Sequence, residues 1–264
     1  LFIFFNGSSQ TRVMNFNISY DNPGDGENWW ENRKEEVAEL IEFYHPEFVG
    51  IQEGLNHQVD FLDKKLQDYS YIGFGRDGKG KNSEAVPIFF DSTKYELIDN
   101  RIFWLSETPG VVSKGWDASL NRISTYGAFK NKATGDTLFL FNCHFDHIGA
   151  IARKNSSKVI LDKINEYGLT DKKVIIMGDF NCVPDEEPYK ILNEYLDDGM
   201  TISEKKMYGP TGTWNGFDTD EIITRRIDYI FSKGVSVLSY RHIDDRRKNN
   251  LHVSDHLPVM IELK

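Results

Sequence analysis

Side chains that could perform metal-assisted hydrolysis follow apolar runs at several points of this chain. The clearest example is the segment 172–181, whose apolar run ends in Gly178-Asp179-Phe180-Asn181. A short, continuously apolar run is typical of a strand buried on both faces. Asp179 and Asn181 are two positions apart, so they can point the same way while the backbone stays extended. A strand followed by an Asx turn accounts for the same residues, so this segment alone does not establish a site.

Other polar residues occupy comparable positions. The residues that end or follow an apolar run are Asn17, Glu53, Glu84, His144, Asp179, Asn181, Asp228, Asp255 and His256. A common rim of two sheets would explain this repeated placement better than scattered surface residues would. The set combines carboxylates, carboxamides and two imidazoles, and hard oxygen ligands suit Mg²⁺, Mn²⁺ or Ca²⁺ better than a structural zinc ion. We therefore expect Mg²⁺ as the cofactor, with Mn²⁺ or Ca²⁺ as substitutes.

The composition limits the classes of protein to consider. The 264 residues carry a formal net charge of −10, and 39% of them are hydrophobic, which suffices for a packed core. The chain has no overall positive charge of the kind that attracts nucleic acid, which argues against a duplex-binding protein without excluding nucleic acid as a partner. The two cysteines, Cys143 and Cys182, exclude a disulfide framework and a CxxC zinc site.

The elements that would position these residues alternate between short strands and a few helices. Apolar spacing predicts helices over 29–44, 57–67, 150–167 and 188–196. Strands are predicted over 11–19, 48–51, 71–74, 172–178, 226–231, 235–240 and 257–263. Two hairpins are predicted, one joining 85–90 to 95–105 around Asp91-Ser92-Thr93 and one joining 122–129 to 137–146. This order indicates a mixed α/β layered fold.

We expect residues 1–264 to form a single domain and the chain to be a monomer. No apolar run approaches the length of a membrane span. The opening segment Leu1-Phe2-Ile3-Phe4-Phe5 fits either the end of a signal-peptide core, with 1–10 as a leader remnant, or an ordinary first segment. The compartment therefore stays open between the cytoplasm and export to the periplasm or the medium.

Seven motifs in order resemble those of the endonuclease/exonuclease/phosphatase superfamily. They are Met14-Asn15-Phe16-Asn17, Gln52-Glu53, Ser83-Glu84, Asn142-Cys143-His144, Gly178-Asp179-Phe180-Asn181, Arg226-Ile227-Asp228-Tyr229 and Ser254-Asp255-His256. The segment 144–149, followed by Ala152-Arg153, resembles the bacterial members related to the nocturnin-like branch. The resemblance covers residues 12–262. It implies an α/β fold, a four-layer α-β-β-α sandwich of two mixed β-sheets flanked by helices, and metal-dependent hydrolysis of a phosphoester by water.

The resemblance also implies roles for the polar residues at the strand ends. Glu53 would be the main Mg²⁺ ligand, supported by Asn17 and by Asp255 or Asp179. Asp179 would orient or deprotonate the attacking water, and Asn181 would hold a phosphate oxygen. His256 polarised by Asp228, and His144 polarised by Glu84, would flank the scissile phosphate, and each carboxylate would keep its histidine cationic near neutral pH.

Three further residues are expected to contact the substrate. Arg122 matches a basic residue that approaches the phosphate in relatives, although an arginine at a strand start is common. Asn142 shares a strand face with His144. Trp214, in Thr213-Trp214-Asn215-Gly216-Phe217, would either stack on a base or sugar or close the core. His147 fits a helix-start residue without a role in the chemistry.

Two absences guide the choice of substrate. No Trp-Cys-Asp-Arg motif precedes the Asp228 strand, which argues against an inositol 5-phosphatase, and no run of Lys and Arg would track a duplex. We therefore expect a small phosphorylated metabolite, such as a sugar phosphate or a nucleotide. The alternative is a nuclease that hydrolyses DNA or RNA. A catalytically inactive binding module would lack Glu53, Asp179 or His256, and all three are present.

Overall fold

The computed structural model describes residues 10–264, arranged as two six-stranded sheets that face each other. The predicted leader segment covers residues 1–10, and residues 1–9 of it lie outside the described part of the chain. The first sheet has the order β11-β12-β1-β2-β4-β3, from strands β1 Arg12–Asn17, β2 Phe48–Gln52, β3 Tyr69–Ile72, β4 Ile88–Asp91, β11 Val237–His242 and β12 Val259–Leu263. The second has the order β5-β6-β7-β8-β10-β9, from β5 Tyr95–Trp104, β6 Ile123–Asn131, β7 Thr137–His144, β8 Val174–Asp179, β9 Asp197–Asp198 and β10 Asp228–Lys233.

Helices cover the outer face of each sheet. They are α1 Trp30–Tyr44, α2 Asn56–Lys65, α3 Ala150–Glu166 and α4 Glu187–Tyr195. The short α5 Gly199–Ile202 instead packs Met200 and Ile202 against the apolar residues between the sheets. Apolar residues of α1 and α2 pack against β1 and β2, and those of α3 and α4 pack against the second sheet. A third cluster fills the space between the sheets. The central strands carry apolar side chains on both faces because each face is covered by another layer. The predicted four-layer sandwich of two mixed sheets is confirmed.

Parallel pairing brings the predicted site residues to one edge of the sandwich. In the first sheet, β1 and β2 are parallel and pair Asn17 with Gln52, which directly precedes Glu53. In the second sheet, β7 and β8 are parallel and pair His144 with Asp179. The strand β10 runs antiparallel to β8 and begins at Asp228, opposite Asp179. The ends of parallel strands meet at the same edge, so these residues gather there.

One of the two predicted hairpins is wrong. The strand β4 pairs with β2 and β3 in the first sheet, whereas β5 pairs with β6 in the second, so the short link after Asp91 carries the chain from one sheet to the other. The Asp91 carboxylate accepts hydrogen bonds from the Thr93 and Lys94 amides and fixes this corner. A tight turn between two strands is compatible with either arrangement, so local sequence could not distinguish them. The hairpin of β6 and β7 is confirmed.

Within residues 10–264, no helix combines the length and the apolar character needed to cross a membrane.

Candidate active site

A cleft of about 420 Å³ opens at the edge where the strand ends gather. The residues that line it are Glu53, Glu84, Leu120, Arg122, His144, His147, Asp179, Asn181, Trp214, Arg225, Ile227, Asp255 and His256. All of the sequence-predicted site residues are among them except Asn17, Asn142 and Asp228. The last three are fully buried behind the cleft.

Two carboxylates from different sheets meet at the centre of the cleft. Asn17 Nδ2 donates hydrogen bonds to Glu53 Oε1 at 3.0 Å and to Asp179 Oδ2 at 3.1 Å, which links the first sheet to the second. Its Oδ1 accepts the backbone N–H of Ser19 at 3.0 Å. The amide oxygen of Asn17 thus faces Ser19, and the amide nitrogen links the two carboxylates. The role of Asn17 as a supporting metal ligand stays a prediction.

Three residues at the cleft have an unusual, left-handed backbone conformation. Ser19, Glu53 and Asn181 have φ values of 64°, 63° and 48°, in the left-handed region that non-glycine residues seldom adopt. The Glu53 carboxylate is held further by the backbone N–H of Tyr20, which donates to Oε2 at 2.6 Å. Strained positions of this kind cost free energy and occur often at functional sites. Here they turn the side chains of Glu53 and Asn181 into the cleft at the points where β2 and β8 end.

The donor set of the cleft fits a divalent cation. Glu53, Asp179 and His256 each offer a ligand atom, and these atoms lie within 4.8 Å of one another. Burial, followed by the nearby Asp255, raises the pKa of Glu53, and burial together with Asp228 raises the pKa of Asp179 to about 7. In the described part of the chain, no lysine or arginine forms an ion pair with either carboxylate. A site of facing carboxylates without a cationic side chain favours a bound cation.

The imidazole of His256 is held in a cationic state. Its Nδ1–H donates to Asp228 Oδ2 at 2.8 Å, as predicted from the sequence, and the hydroxyl of Thr213 donates to the same oxygen at 2.6 Å. Burial alone would lower the pKa of His256, but Asp228 and Asp255 outweigh it and raise that pKa well above its ordinary value. Thr213 was not among the predicted site residues, because a threonine beside a conspicuous tryptophan carries no distinguishing signal.

The surroundings of His144 favour a neutral imidazole, which differs from the expectation that Glu84 keeps it cationic. Glu84 Oε2 lies 4.0 Å from His144 Nδ1, while Glu84 Oε1 pairs with the guanidinium of Arg76 at 2.6 Å. Burial, followed by the charges of Arg122 and Arg76, lowers the pKa of His144 well below its ordinary value. The Asn181 side-chain amide donates to His144 Nε2 at 3.2 Å, so the proton of the neutral ring resides on Nδ1.

A buried arginine forms one wall of the cleft. Arg122 Nε donates to Asp146 Oδ2 at 3.3 Å, and its Nη2 donates to His147 Nδ1 at 2.9 Å. Burial alone would raise the pKa of Asp146. Hydrogen bonds from backbone N–H groups, with that of Gly149 first, and the charge of Arg122 outweigh burial and lower this pKa below its ordinary value, so the carboxylate is charged and holds Arg122 in place. His147 therefore lies in the cleft and orients Arg122, beyond the helix-start role expected of it. This wall presents a fixed cation to an anionic substrate.

Trp214 and Arg225 form another wall of the cleft. The Arg225 guanidinium lies over the Trp214 ring, 5.1 Å from its centroid. An added Cβ at Gly216 would lie 2.9 Å from Trp214 Cζ2, so this neighbour also crowds the ring. Trp214 lines the cleft and supports a cation there, which corresponds to neither a free stacking platform nor a core residue. Nothing in the sequence separated Arg225 from other surface arginines.

Asn142 does not reach the cleft, so the predicted contact with substrate is wrong. Its Nδ2 donates to the backbone oxygens of Ile51 and Pro87, both at 2.8 Å. Its Oδ1 accepts from Gln52 Nε2 at 2.6 Å. Every polar atom of this side chain is thus used between the two sheets, and the residue is fully buried.

Comparisons with known proteins identify the family and match the fold. A model of the Endonuclease/Exonuclease/phosphatase family matches residues 14–256. The structure of a mannosyl-6-phosphatase from Bacteroides thetaiotaomicron superposes with a TM-score of 0.91 at 34% identity, over 96% of this chain and 99% of that one. The human nocturnin catalytic domain superposes with a TM-score of 0.73 at 22% identity, over 97% and 93%. A probable RNA exonuclease from Saccharomyces cerevisiae is 23% identical over 173 residues, 61% of this chain and 34% of that protein.

Proposed function

Because this chain belongs to the endonuclease/exonuclease/phosphatase family, we propose that it is a metal-dependent phosphoesterase of a small phosphorylated metabolite, with a sugar phosphate as the leading substrate class. The observation that carries the proposal is the meeting of Glu53 and Asp179, from two different sheets, beside a cationic His256. Such a set binds a cation and faces a phosphoryl group. The mannosyl-6-phosphatase, at 34% identity over nearly the whole chain, supports the sugar phosphate.

The cation site would be formed by the carboxylates of Glu53 and Asp179, with Asp255 beside them. His256 lies next to this site, but its protonated ring has no lone pair for a metal and would contact the phosphate instead. A bound Mg²⁺ would supply positive charge that cancels the repulsion between the phosphate and an incoming nucleophile. The carboxylates of Glu53, Asp179 and Asp255 repel a phosphate ester, and a bound cation would offset that repulsion. Oxygen donors and a compact site suit Mg²⁺.

The chain's own groups would then carry out the proton transfer and hold the phosphate. Asp179 Oδ2 would orient the attacking water and accept its proton. The cationic Nε2–H of His256 would stabilise the charge that develops on the phosphoryl oxygens. The Asn181 amide and the buried Arg122 would hold the other oxygens of the phosphate.

The size and charge of the cleft support a small substrate. A volume of about 420 Å³ lies within the range of roughly 300–1,000 Å³ found for small-molecule sites. The Arg122 and Trp214–Arg225 walls bound it on two sides, and the chain as a whole is acidic, with a net charge of −10. A track for a long polyanion would require an extended basic surface.

A substrate panel tests the proposal. The panel contains hexose 6-phosphates, nucleotides, an aryl phosphomonoester, an aryl phosphodiester, inositol phosphates and DNA, each assayed with Mg²⁺. We expect phosphate release from hexose 6-phosphates to be fastest, with Asp179→Asn as the inactive control. Cleavage of DNA or RNA at catalytic enzyme concentrations, without release from sugar phosphates, would instead establish a nuclease.

A further inference from the structure

Three buried amides connect the sheets directly behind the cleft. Gln52 Nε2 donates to Asn15 Oδ1 at 2.8 Å and to Asn142 Oδ1 at 2.6 Å, so one side chain links β1, β2 and β7. Asn142 Nδ2 returns hydrogen bonds to Ile51 O and Pro87 O in the first sheet. We call Asn15, Gln52 and Asn142 the amide bridge. All three are fully buried.

The amide bridge ends beside both carboxylates of the cleft. Gln52 directly precedes Glu53 in the first sheet. Asn15 Nδ2 donates to Gly178 O at 3.2 Å, and Gly178 directly precedes Asp179 in the second sheet. The backbone that carries each carboxylate is therefore tied to the other sheet one residue away from the cleft.

Gly50 allows the sheets to approach this closely. An added Cβ at Gly50 would lie 2.8 Å from Met177 Sδ and 2.9 Å from Asn142 Cγ, which is closer than real Cβ atoms approach their neighbours. Gly50 lies within β2, whose backbone is ordinary extended strand, so glycine is required here for space alone. A side chain at this position would force Met177 and Asn142 to shift, and Asn142 is a member of the amide bridge.

Apolar packing alone would not fix this separation. Hydrophobic contacts between sheets are non-directional, whereas hydrogen bonds hold their atoms within a narrow range of distance. The bridge also has a cost, because Gln52 Oε1 is buried and has no partner among residues 10–264. An apolar residue of the same shape would avoid that cost, which indicates that the amides do more than hold the core together.

We propose that the amide bridge and Gly50 are positioning residues that set the separation of Glu53 from Asp179 and thereby select Mg²⁺ over Ca²⁺. The inference rests on the proposed function, since it assigns a cation to that pair. Mg²⁺ demands near-ideal octahedral geometry at short distances, while Ca²⁺ accepts longer and more varied ones. A wider gap would consequently weaken Mg²⁺ binding more than Ca²⁺ binding.

Calorimetric titration of the substrate-free protein with Mg²⁺ and with Ca²⁺ tests the proposal. The variants are Gln52→Met, Asn142→Leu and Gly50→Ala. The control is Leu140→Ala, which removes packing volume between the sheets from the same face of β7, two residues before Asn142. We expect each of the three variants to lose roughly tenfold or more in Mg²⁺ affinity, as is common when the supports of metal ligands are removed, and less in Ca²⁺ affinity.

The ratio of the two affinities separates positioning from stability. Leu140→Ala should lower the melting temperature while leaving the Mg²⁺/Ca²⁺ ratio within about twofold of wild type. A ratio equally unchanged in the folded bridge variants would overturn this proposal and leave the proposed function intact. If Gly50→Ala does not fold, Gln52→Met, which preserves the side-chain shape, decides the matter. A wild-type protein that binds neither cation would overturn both proposals.

Discussion

His144 and His256 approach the same oxygen of Asp179 from two sides, with their Nε2 atoms 3.5 Å and 3.9 Å from Oδ2. The two rings differ in charge, because His256 has a carboxylate partner in Asp228 and His144 lies among arginines. Two imidazoles at one oxygen thus offer two different functions, a cation and a neutral hydrogen-bonding group. This asymmetry leads to the first two predictions.

Asp228→Asn should remove the charge that keeps His256 cationic. The side-chain shape is retained and Thr213 can still hydrogen-bond to it, so we expect the fold to persist. The pKa of His256 should fall, because Asp228 is the foremost group raising it. We expect kcat to drop by roughly 10²–10⁴-fold, the usual contribution of a positioned acid or base. Steady-state kinetics on the best substrate measures this, and an unchanged kcat would show that His256 acts without its partner.

Arg76→Met should shift His144 in the opposite direction. Removing the guanidinium releases Glu84 and takes away one of the charges that lower the pKa of His144. The pKa of His144 should therefore rise, as followed by the chemical shifts of its ring in an NMR titration. His242, which is buried in the first sheet, serves as the internal reference and should not move. A His144 pKa that stays constant would show that burial and Arg122, without Arg76, set its charge.

Arg225→Met should weaken substrate binding more than chemistry. The substitution keeps an apolar chain on the Trp214 ring but removes the cation from that wall of the cleft. We expect KM to rise roughly tenfold, equivalent to about 1.4 kcal/mol, with little change in kcat. Kinetics with a sugar phosphate gives both parameters, and Arg241→Met, on the exposed face of β11, is a control. A loss confined to kcat would place Arg225 in the chemical step instead.

His242 should make the fold sensitive to acid. Its Nδ1–H donates to Pro210 O at 2.8 Å, and its Nε2 accepts from the Tyr240 hydroxyl at 3.1 Å, which satisfies the neutral ring. Burial lowers the pKa of His242 to about 4. Above pH 6.5 His242 is unprotonated in both the folded and the unfolded chain, so it does not reduce the free energy of unfolding. Between pH 6.5 and 4 only the unfolded chain binds a proton, so the free energy of unfolding should fall by up to about 3 kcal/mol.

Denaturant unfolding of wild type and His242→Gln over that pH range measures the effect. Other groups titrate in the same interval, so the difference between the two proteins is the informative quantity. The stability of wild type should decline more steeply than that of the variant as the pH falls from 6.5 to 4. Parallel curves would contradict the assignment.

Much of the site could be predicted because strand ends are visible in sequence. The apolar runs before Glu53 and Asp179, and the one that follows Asp228, correctly indicated that these residues lie at one edge of a sandwich. Hydrogen-bond partners were harder to predict, because they depend on contacts between distant segments. Asn142 shares a strand with His144, yet its side chain lies between the two sheets, where its Oδ1 accepts a hydrogen bond from Gln52 Nε2.

The charge of His144 could also not be predicted from the sequence. The motif supplied a carboxylate, Glu84, but competition from Arg76 for that carboxylate appears only when the loop 75–82 folds back on it. The same limit explains the wrong hairpin, since the turn after Asp91 does not specify which sheet receives the next strand.

On the proposed function, Glu53 and Asp179 form a cation site on which phosphoester hydrolysis depends. Its most direct test is phosphate release from a hexose 6-phosphate, measured for wild type and Glu53→Gln with Mg²⁺, with EDTA, and after Mg²⁺ is restored. We predict that EDTA abolishes the activity of wild type, that Mg²⁺ restores it, and that Glu53→Gln stays at least about 10³-fold slower throughout, equivalent to about 4 kcal/mol in the barrier. Full activity in EDTA, or a Glu53→Gln variant as active as wild type, would contradict the account.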